Sequence, residues 1–194
     1  MTEDFEIIEN VKKGNKDAFD DLVFKYQDRL YNIAYRMLND LEEAKDITQE
    51  TFLHAYMHIN EFRGESSVYY WLTTILMNLC RNKLKKWEKE HRRETVSLEV
   101  RVESENGSVF VHEIPDPSIS ALEQLEKEER EKLIQKALDK LPTEYKTVIL
   151  LHDFDELSYE VISQICKCPI GTVRSRLHRA RAMLKEILKR NLEK

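Results

Sequence analysis

Apolar positions recur along most of this chain with the period of an α-helix. Phe19, Leu22, Val23, Tyr26, Leu30, Ile33, Ala34 and Met37 follow i, i+3, i+4, i+7 spacing, which lines one helix face and leaves the other polar. Asn39-Asp40 ends that stripe. A second helix turns Ala44, Ile47, Thr51, Phe52, Ala55 and Ile59 inward and presents Asp46, Gln49, Glu50 and Leu53 on the opposite face. After Arg63-Gly64-Glu65, Ser66 or Ser67 can cap a third helix that carries Trp71, Leu72, Ile75, Leu76 and Leu79. Three helices of this kind make one compact α-helical domain.

The pattern then changes. Val96, Leu98, Val100 and Val102 alternate with Ser97, Glu99 and Arg101, and Asn106-Gly107 precedes Val109, Phe110 and Val111, as in a hairpin with an Asn-Gly turn. An isolated two-stranded hairpin is marginal in water, so this segment is read as an extended linker that can pair locally, closed by Pro115 and Pro117. Ser120 with Glu123 forms a capping-box signature for a helix through Leu122, Leu125, Leu133, Ala137, Leu138 and Leu141, stopped at Pro142. Thr143 to His152 reads as one helix, and Ser158 caps another with Val161, Ile162, Ile165 and Cys166 inward. The turn Lys167-Cys168-Pro169 leads into a long final helix whose apolar side is Val173, Leu177, Ala180 and Leu184. At about 100° per residue, Ser175, His178, Arg179 and Ala182 then face the other way. Arg174, Arg181 and Lys185 flank one edge of that polar face; Thr172 and Arg176 flank the other.

Composition supports a helical reading. The 194 residues suffice for one large or two small domains, a domain holding about 100 to 150 residues. A hydrophobic fraction of 41% excludes a disordered chain, and 35% charged residues with only four Gly and four Pro weigh against an all-β fold. Three Cys cannot complete a disulfide framework, and Met1-Thr2-Glu3-Asp4 lacks the basic and apolar parts of a secretory signal. The purest aliphatic run, Val148 to Leu151, is far short of the roughly 20 residues of a membrane span. A soluble, cytoplasmic protein without membrane insertion is expected.

A net charge of −5 argues by itself against nucleic acid as a partner, but its distribution argues the reverse. Arg81 to Arg93 holds seven bases against Glu88 and Glu90, and Ile170 to Lys194 holds eight against Glu186 and Glu193, with an acid-rich stretch between. Charges more than about 8 to 10 Å apart are largely screened at physiological salt, so each patch acts on its own surroundings. A short helix, a three-residue turn and a basic second helix is the arrangement that places a recognition helix in a DNA major groove. Arginine's planar fork can bond guanine O6 and N7 together, while flanking arginines neutralise phosphates and set register. The alternative is an ordinary amphipathic surface helix with solvated bases.

Three motifs in order carry a family resemblance across most of the chain. Pro169-Ile170-Gly171-Thr172-Val173-Arg174-Ser175-Arg176-Leu177-His178-Arg179-Ala180-Arg181 resembles region 4 of the extracytoplasmic-function class of bacterial sigma factors, group 4 of the sigma-70 family. Asp46-Ile47-Thr48-Gln49-Glu50-Thr51-Phe52 and Phe62-Arg63-Gly64-Glu65-Ser66-Ser67, with Trp71-Leu72, resemble region 2 of the same class. The resemblance implies an all-α fold with region 2 over residues 1–93, an acidic linker over 94–119 and region 4, with its helix-turn-helix, over 120–194. It implies a factor that binds core RNA polymerase, at the β′ coiled coil and the β flap, and directs it to promoter DNA under control of an anti-sigma factor.

Residue by residue, the resemblance assigns duplex −35 recognition to Thr172, Arg174, Ser175, Arg176, His178, Arg179 and Arg181. It assigns capture of the opened −10 strand to Arg63, Ser66, Tyr69, Tyr70, Trp71, Asn78, Arg81 and Lys85, and polymerase binding to Asp46, Gln49, Glu50 and Leu53. The chemistry suits these roles. Tyr69, Tyr70 and Trp71 offer stacking surfaces, Asn78 hydrogen bonds to a base edge, and Arg81, Lys83, Lys85 and Lys86 phosphate contacts. Core packing is the alternative for the aromatics, above all for Trp71 in the apolar stripe, and plain solvation is the alternative for the acidic face.

One departure from the family concerns the helix-turn-helix turn, where Lys167 stands in place of the usual Gly, so the backbone either avoids positive φ or accepts a cost of order 1 kcal/mol. Cys166 and Cys168 with the distant His152 and His178 match no zinc spacing, and neither metal nor cofactor is expected. Two other functions compete. A regulator binding DNA alone through the same helix pair requires a palindromic site. A nuclease using Asp46 and Glu50 lacks a further ligand and a phosphate-binding Gly-rich loop, so no catalytic residue is assigned.

Overall fold

A computed structural model describes residues 3–95 and 121–192, which divide into two compact units on either side of the Val100–Arg101 boundary. No strand occurs among the described residues, and no described helix is long and apolar enough to cross a membrane. The candidate hairpin over 96–114, the prolines that follow it and Ser120 lie outside the described residues.

The first unit contains α1 (Glu3–Lys12), α2 (Ala18–Leu38), α3 (Leu41–Met57), a 3₁₀ turn (Ile59–Glu61) and α4 (Val68–Thr95). Helices α2, α3 and α4 pack against one another around Leu22, Leu30, Met37, Leu72, Leu76 and Met77, all fully buried. The expected break at Asn39-Asp40 has a local cause. Asn39 takes the left-handed conformation at φ 53°, its N–H bonding the Tyr35 carbonyl, and Asp40 Oδ1 accepts from Glu43 N at 3.0 Å to start α3. Of the two candidate caps of α4, Ser67 accepts from Tyr70 N at 3.2 Å. The threonines of the core satisfy themselves: the hydroxyls of Thr48, Thr51 and Thr73 donate to the carbonyls one turn back.

Helix α1 is an addition to the three expected helices. Its Ile8 and Val11 are buried. A polar clasp fastens it to α2, in which Tyr26 Oη donates to Asp4 Oδ2 at 2.5 Å while Lys25 Nζ reaches Asp4 at 2.6 Å and Glu3 at 3.2 Å. Burial, reinforced by the Asp4 bond, pushes the Tyr26 phenol up to about 12.

The second unit contains α5 (Ala121–Asp139), α6 (Thr143–Ile149), α7 (Tyr159–Cys166) and α8 (Ile170–Leu192), with α8 packed on the other three. Its core includes Leu138, Ile149, Leu150, Leu151, Ile162, Ile165, Val173 and Leu177. Two expectations are corrected. Leu125 is 53% exposed, because burial of α5 within the unit is concentrated in its last turns at Gln135, Ala137 and Leu138. The single helix expected from Thr143 to His152 is α-helical only to Ile149 and then widens into a π-turn, Leu150–Phe154, closed by Asp155 N on the Leu150 carbonyl at 3.0 Å.

At Lys167 the backbone takes the costlier of the two options, φ 50° and ψ 48°. Four hydrogen bonds hold it there. Lys167 N donates to Gln164 O, Cys168 N to Ser163 O, Ser163 Oγ to Cys168 O at 2.6 Å, and Thr172 N to Pro169 O.

Lys167→Gly removes the Cβ from a left-handed position and is expected to stabilise the unit by about 1 kcal/mol, read as a higher denaturant midpoint. Tyr26 has an ordinary value of 10.0 and a folded value of about 12, so the fold favours its protonated form. Its contribution is complete below the ordinary value and is lost as pH rises through about 12. Titration of tyrosinate absorbance should show this late step, and Tyr26→Phe should abolish it.

Candidate nucleic-acid interfaces

The outward face of α8 follows from what it buries. Val173, Leu177 and Ala180 are at most 1% exposed, and Arg174, Ser175, His178, Arg179 and Arg181 lie on the surface, with Thr172 and Arg176 half-buried. Leu184, expected on the buried side, is half-buried. Arg179 and His178 have no partner among the described residues, and the Ser175 hydroxyl donates to the Thr172 carbonyl at 3.1 Å. The centre of the strip is therefore open for hydrogen bonding to base edges.

The two edges are different. Arg176 Nη2 meets Glu144 Oε2 at 2.6 Å on α6, and Arg181 Nε donates to Asp153 Oδ2 at 2.9 Å on the π-turn, with a second Arg181 nitrogen on the other carboxylate oxygen. His152 Nδ1 lies 3.2 Å from an Arg181 nitrogen and 2.7 Å from Asp153 Oδ1, and its ring stacks on Tyr159 at 5.0 Å, over which Arg174 lies at 6.0 Å. The bond from Arg181 is the main reason that the Asp153 carboxyl lies below its ordinary range. Neither acid was legible as a partner: they stand 32 and 28 residues from their arginines.

In the first unit, Asp46, Gln49, Glu50 and Leu53 share one exposed face of α3, with Leu53 58% exposed and a Glu50 carboxylate oxygen 3.5 Å from His54 Nε2. Met57, one turn beyond Leu53 and 67% exposed, continues that face and is a residue the i, i+4 spacing offered. The −10 candidates divide by depth. Arg63, Asn78 and Lys85 are exposed; Ser66, Tyr70, Trp71 and Arg81 are half-buried, with Arg81 Nε on the Met77 carbonyl.

Tyr69 corrects the expectation of an open stacking surface. It is 6% exposed, packed on Tyr26 at 5.3 Å and covered by the Arg29 guanidinium at 4.0 Å, because it points to the side of α4 that meets α2. Trp71 packs at a tilt against Phe62, ring centroids 5.0 Å apart, so part of its surface is spent on packing. Lys83 is held by Glu43 at 2.5 Å, while Lys85 and Lys86 on the same turn of α4 are exposed. Cys80 is buried, Cys166 and Cys168 are half-buried, and no cluster suited to a metal ion occurs among the described residues.

Comparison with known proteins follows both units. Residues 22–90 match the family described as Sigma-70 region 2, and residues 131–184 that described as Sigma-70, region 4. The chain is 36% identical over 182 residues to the ECF RNA polymerase sigma factor SigW of Bacillus subtilis, covering 94% of this chain and 95% of that one. It is 35% identical over 186 residues to the RNA polymerase sigma-H factor of Pseudomonas aeruginosa, covering 96% and 94% respectively. Among solved structures, the sigma factor RpoE in complex with the anti-sigma factor NepR from Bartonella quintana is similar at TM-score 0.64 and 29% identity, over 88% of this chain and 96% of that one. The structure of CnrH in complex with the cytosolic domain of CnrY shares the fold at TM-score 0.67 and 20% identity, over 96% and 97%.

Arg181→Ala should return the Asp153 carboxyl toward its ordinary range, seen as an upward move of its NMR titration midpoint. The Asp153 contribution to stability is present above the ordinary value and lost as pH falls through the depressed one, so the variant should also flatten the acid limb of the stability profile.

Proposed function

The chain belongs to the extracytoplasmic-function class of the sigma-70 family, and from that premise we propose how its parts direct core RNA polymerase to promoters in the cytoplasm. Residues 120–194 act as region 4 and read the −35 element as duplex. Ser175, His178 and Arg179 address base edges, while Arg174, Arg176 and Arg181, with Thr172, contact phosphates on either side and set the register. Residues 1–93 act as region 2. The loop from Arg63 to Ser67, with Ser66, Tyr70 and Trp71, receives an unstacked base of the opened −10 strand. Asn78 reads the base, and Arg81 and Lys85 follow the backbone.

Docking on polymerase falls to Asp46, Gln49, Glu50 and Leu53, an acidic face with one apolar residue that suits a basic helical partner such as the β′ coiled coil; region 4 meets the β flap. The acidic segment over 94–119 joins the two regions. Phosphodiester chemistry belongs to the polymerase, and the part of this chain is recognition and strand capture. An anti-sigma factor, of the kind named with the Bartonella quintana structure, holds it inactive by covering these faces.

The observation that carries the reading is Arg179, without a partner among the described residues, beside His178 on a helix whose opposite side is sealed in the core. Purified chain added to core polymerase with a promoter library should yield site-selective starts at non-palindromic sequences; unselective transcription would refute the assignment. Arg179→Ala should lower −35-dependent output by the roughly 5- to 150-fold that about 1 to 3 kcal/mol of base discrimination represents, with core binding intact. Asp46→Arg should do the reverse, weakening core binding measured by holoenzyme titration and sparing duplex binding by region 4.

A further inference from the structure

Helix α1 carries none of the residues assigned above, yet two of its side chains, Phe5 and Lys12, meet the loop that does. The Phe62 ring lies between α1 and α4, 5.8 Å from Phe5 and 5.0 Å from Trp71. Its carbonyl accepts from Lys12 Nζ at 2.9 Å. Two residues later, Gly64 sits at φ +75° so close beneath the Phe5 edge that a Cβ there would lie 2.7 Å from Phe5 Cε1. Both neighbours of Arg63 are thus held against α1, while Arg63 itself and Glu65 are exposed. At the far end Ser67 is fixed as the cap of α4. A surface loop anchored on both sides of its exposed residue gives up little conformational freedom when a ligand arrives.

We propose that α1, through Phe5, positions the loop from Arg63 to Ser67 for capture of the unpaired promoter strand. The proposal rests on the reading of that loop as part of the −10 site. Phe5 acts through Phe62 and Gly64, so it is a positioning residue. It sets where the Arg63 backbone emerges and how the first turn of α4 is presented. Gly64 is the matching element, since the loop approaches α1 as closely as it does only without a side chain there.

A purely structural Phe5, when replaced, would lower folding stability and every activity of the unit together. The test therefore compares two functions of the full chain in holoenzyme. One is assembly with core polymerase, which uses α3; the other is binding of a single-stranded oligonucleotide carrying the non-template −10 sequence. Phe5→Ala should weaken strand capture about tenfold while leaving assembly unchanged, and Phe5→Leu, which keeps apolar bulk but not the ring edge, should fall between. Gly64→Ala should weaken capture as well. In the double variant the collision is gone, so its loss should be smaller than the product of the two single effects.

Independent, multiplying effects would overturn the proposal, as would wild-type strand capture by Phe5→Leu. Arg63→Ala separates the two levels. If it leaves capture unchanged, the reading of the loop fails; if it abolishes capture while the Phe5 variants do not, the positioning role alone fails.

Discussion

Burial of Val173, Leu177 and Ala180 against α6 and α7 is the constraint from which the outer surface of the second unit follows. Sealing an aliphatic side chain of this size away from water stabilises by about 1.5 to 3 kcal/mol, and rolling α8 by one residue would expose Leu177 and drive an arginine inward at greater cost. The helix therefore has one rotation about its axis. Ser175, His178 and Arg179 face outward for that reason, not because of contacts of their own. The left-handed Lys167 is the backbone cost of bringing α7 and α8 together so that this burial is possible.

Charge is then distributed by pairing. Glu144 and Asp153 hold Arg176 and Arg181 at the two edges of α8, while the middle of the strip has no ion-pair partner among the described residues, so the face presents fixed guanidiniums outside and open donors inside. In the first unit Glu43 holds Lys83 in the same way, while the exposed acids of α3 lie on a separate face. A chain with net negative charge can thus address DNA, since the centre of the α8 strip is basic, the exposed acids of α3 lie elsewhere and screening keeps each field local.

The aromatic chain Phe5–Phe62–Trp71 and the clasp Asp4–Tyr26–Lys25 give the first unit a different logic. There the short helix α1 is held by side chains from α2 and from the loop, and in turn supports that loop. A ten-residue helix is marginal alone, so α1 exists because of these partners.

The stripes of α2, α3 and α8 were legible because helical periodicity is a local property: each residue's face depends only on its neighbours three and four places away. So were the cap at Ser158, the break at Asn39-Asp40 and the outward faces at Asp46 and Ser175. The buried stripe of α4 is off-centre from the expected one, since Trp71, Ile75 and Leu79 are half-buried while Tyr69, Thr73, Met77 and Cys80 join Leu72 and Leu76 in the core. Contacts between residues distant in sequence decided the rest. Tyr69 belongs to the core because Tyr26 and Arg29 meet it there, Lys83 is occupied because Glu43 lies opposite, and α1 folds because Phe62 and Tyr26 wait for it. Sequence alone determined which side of α2, α3 and α8 turns to water; only the tertiary structure decided the buried faces of α4 and α5 and which polar groups on the outer sides are already engaged, because such pairing depends on helices meeting in space and leaves no periodic trace in the chain.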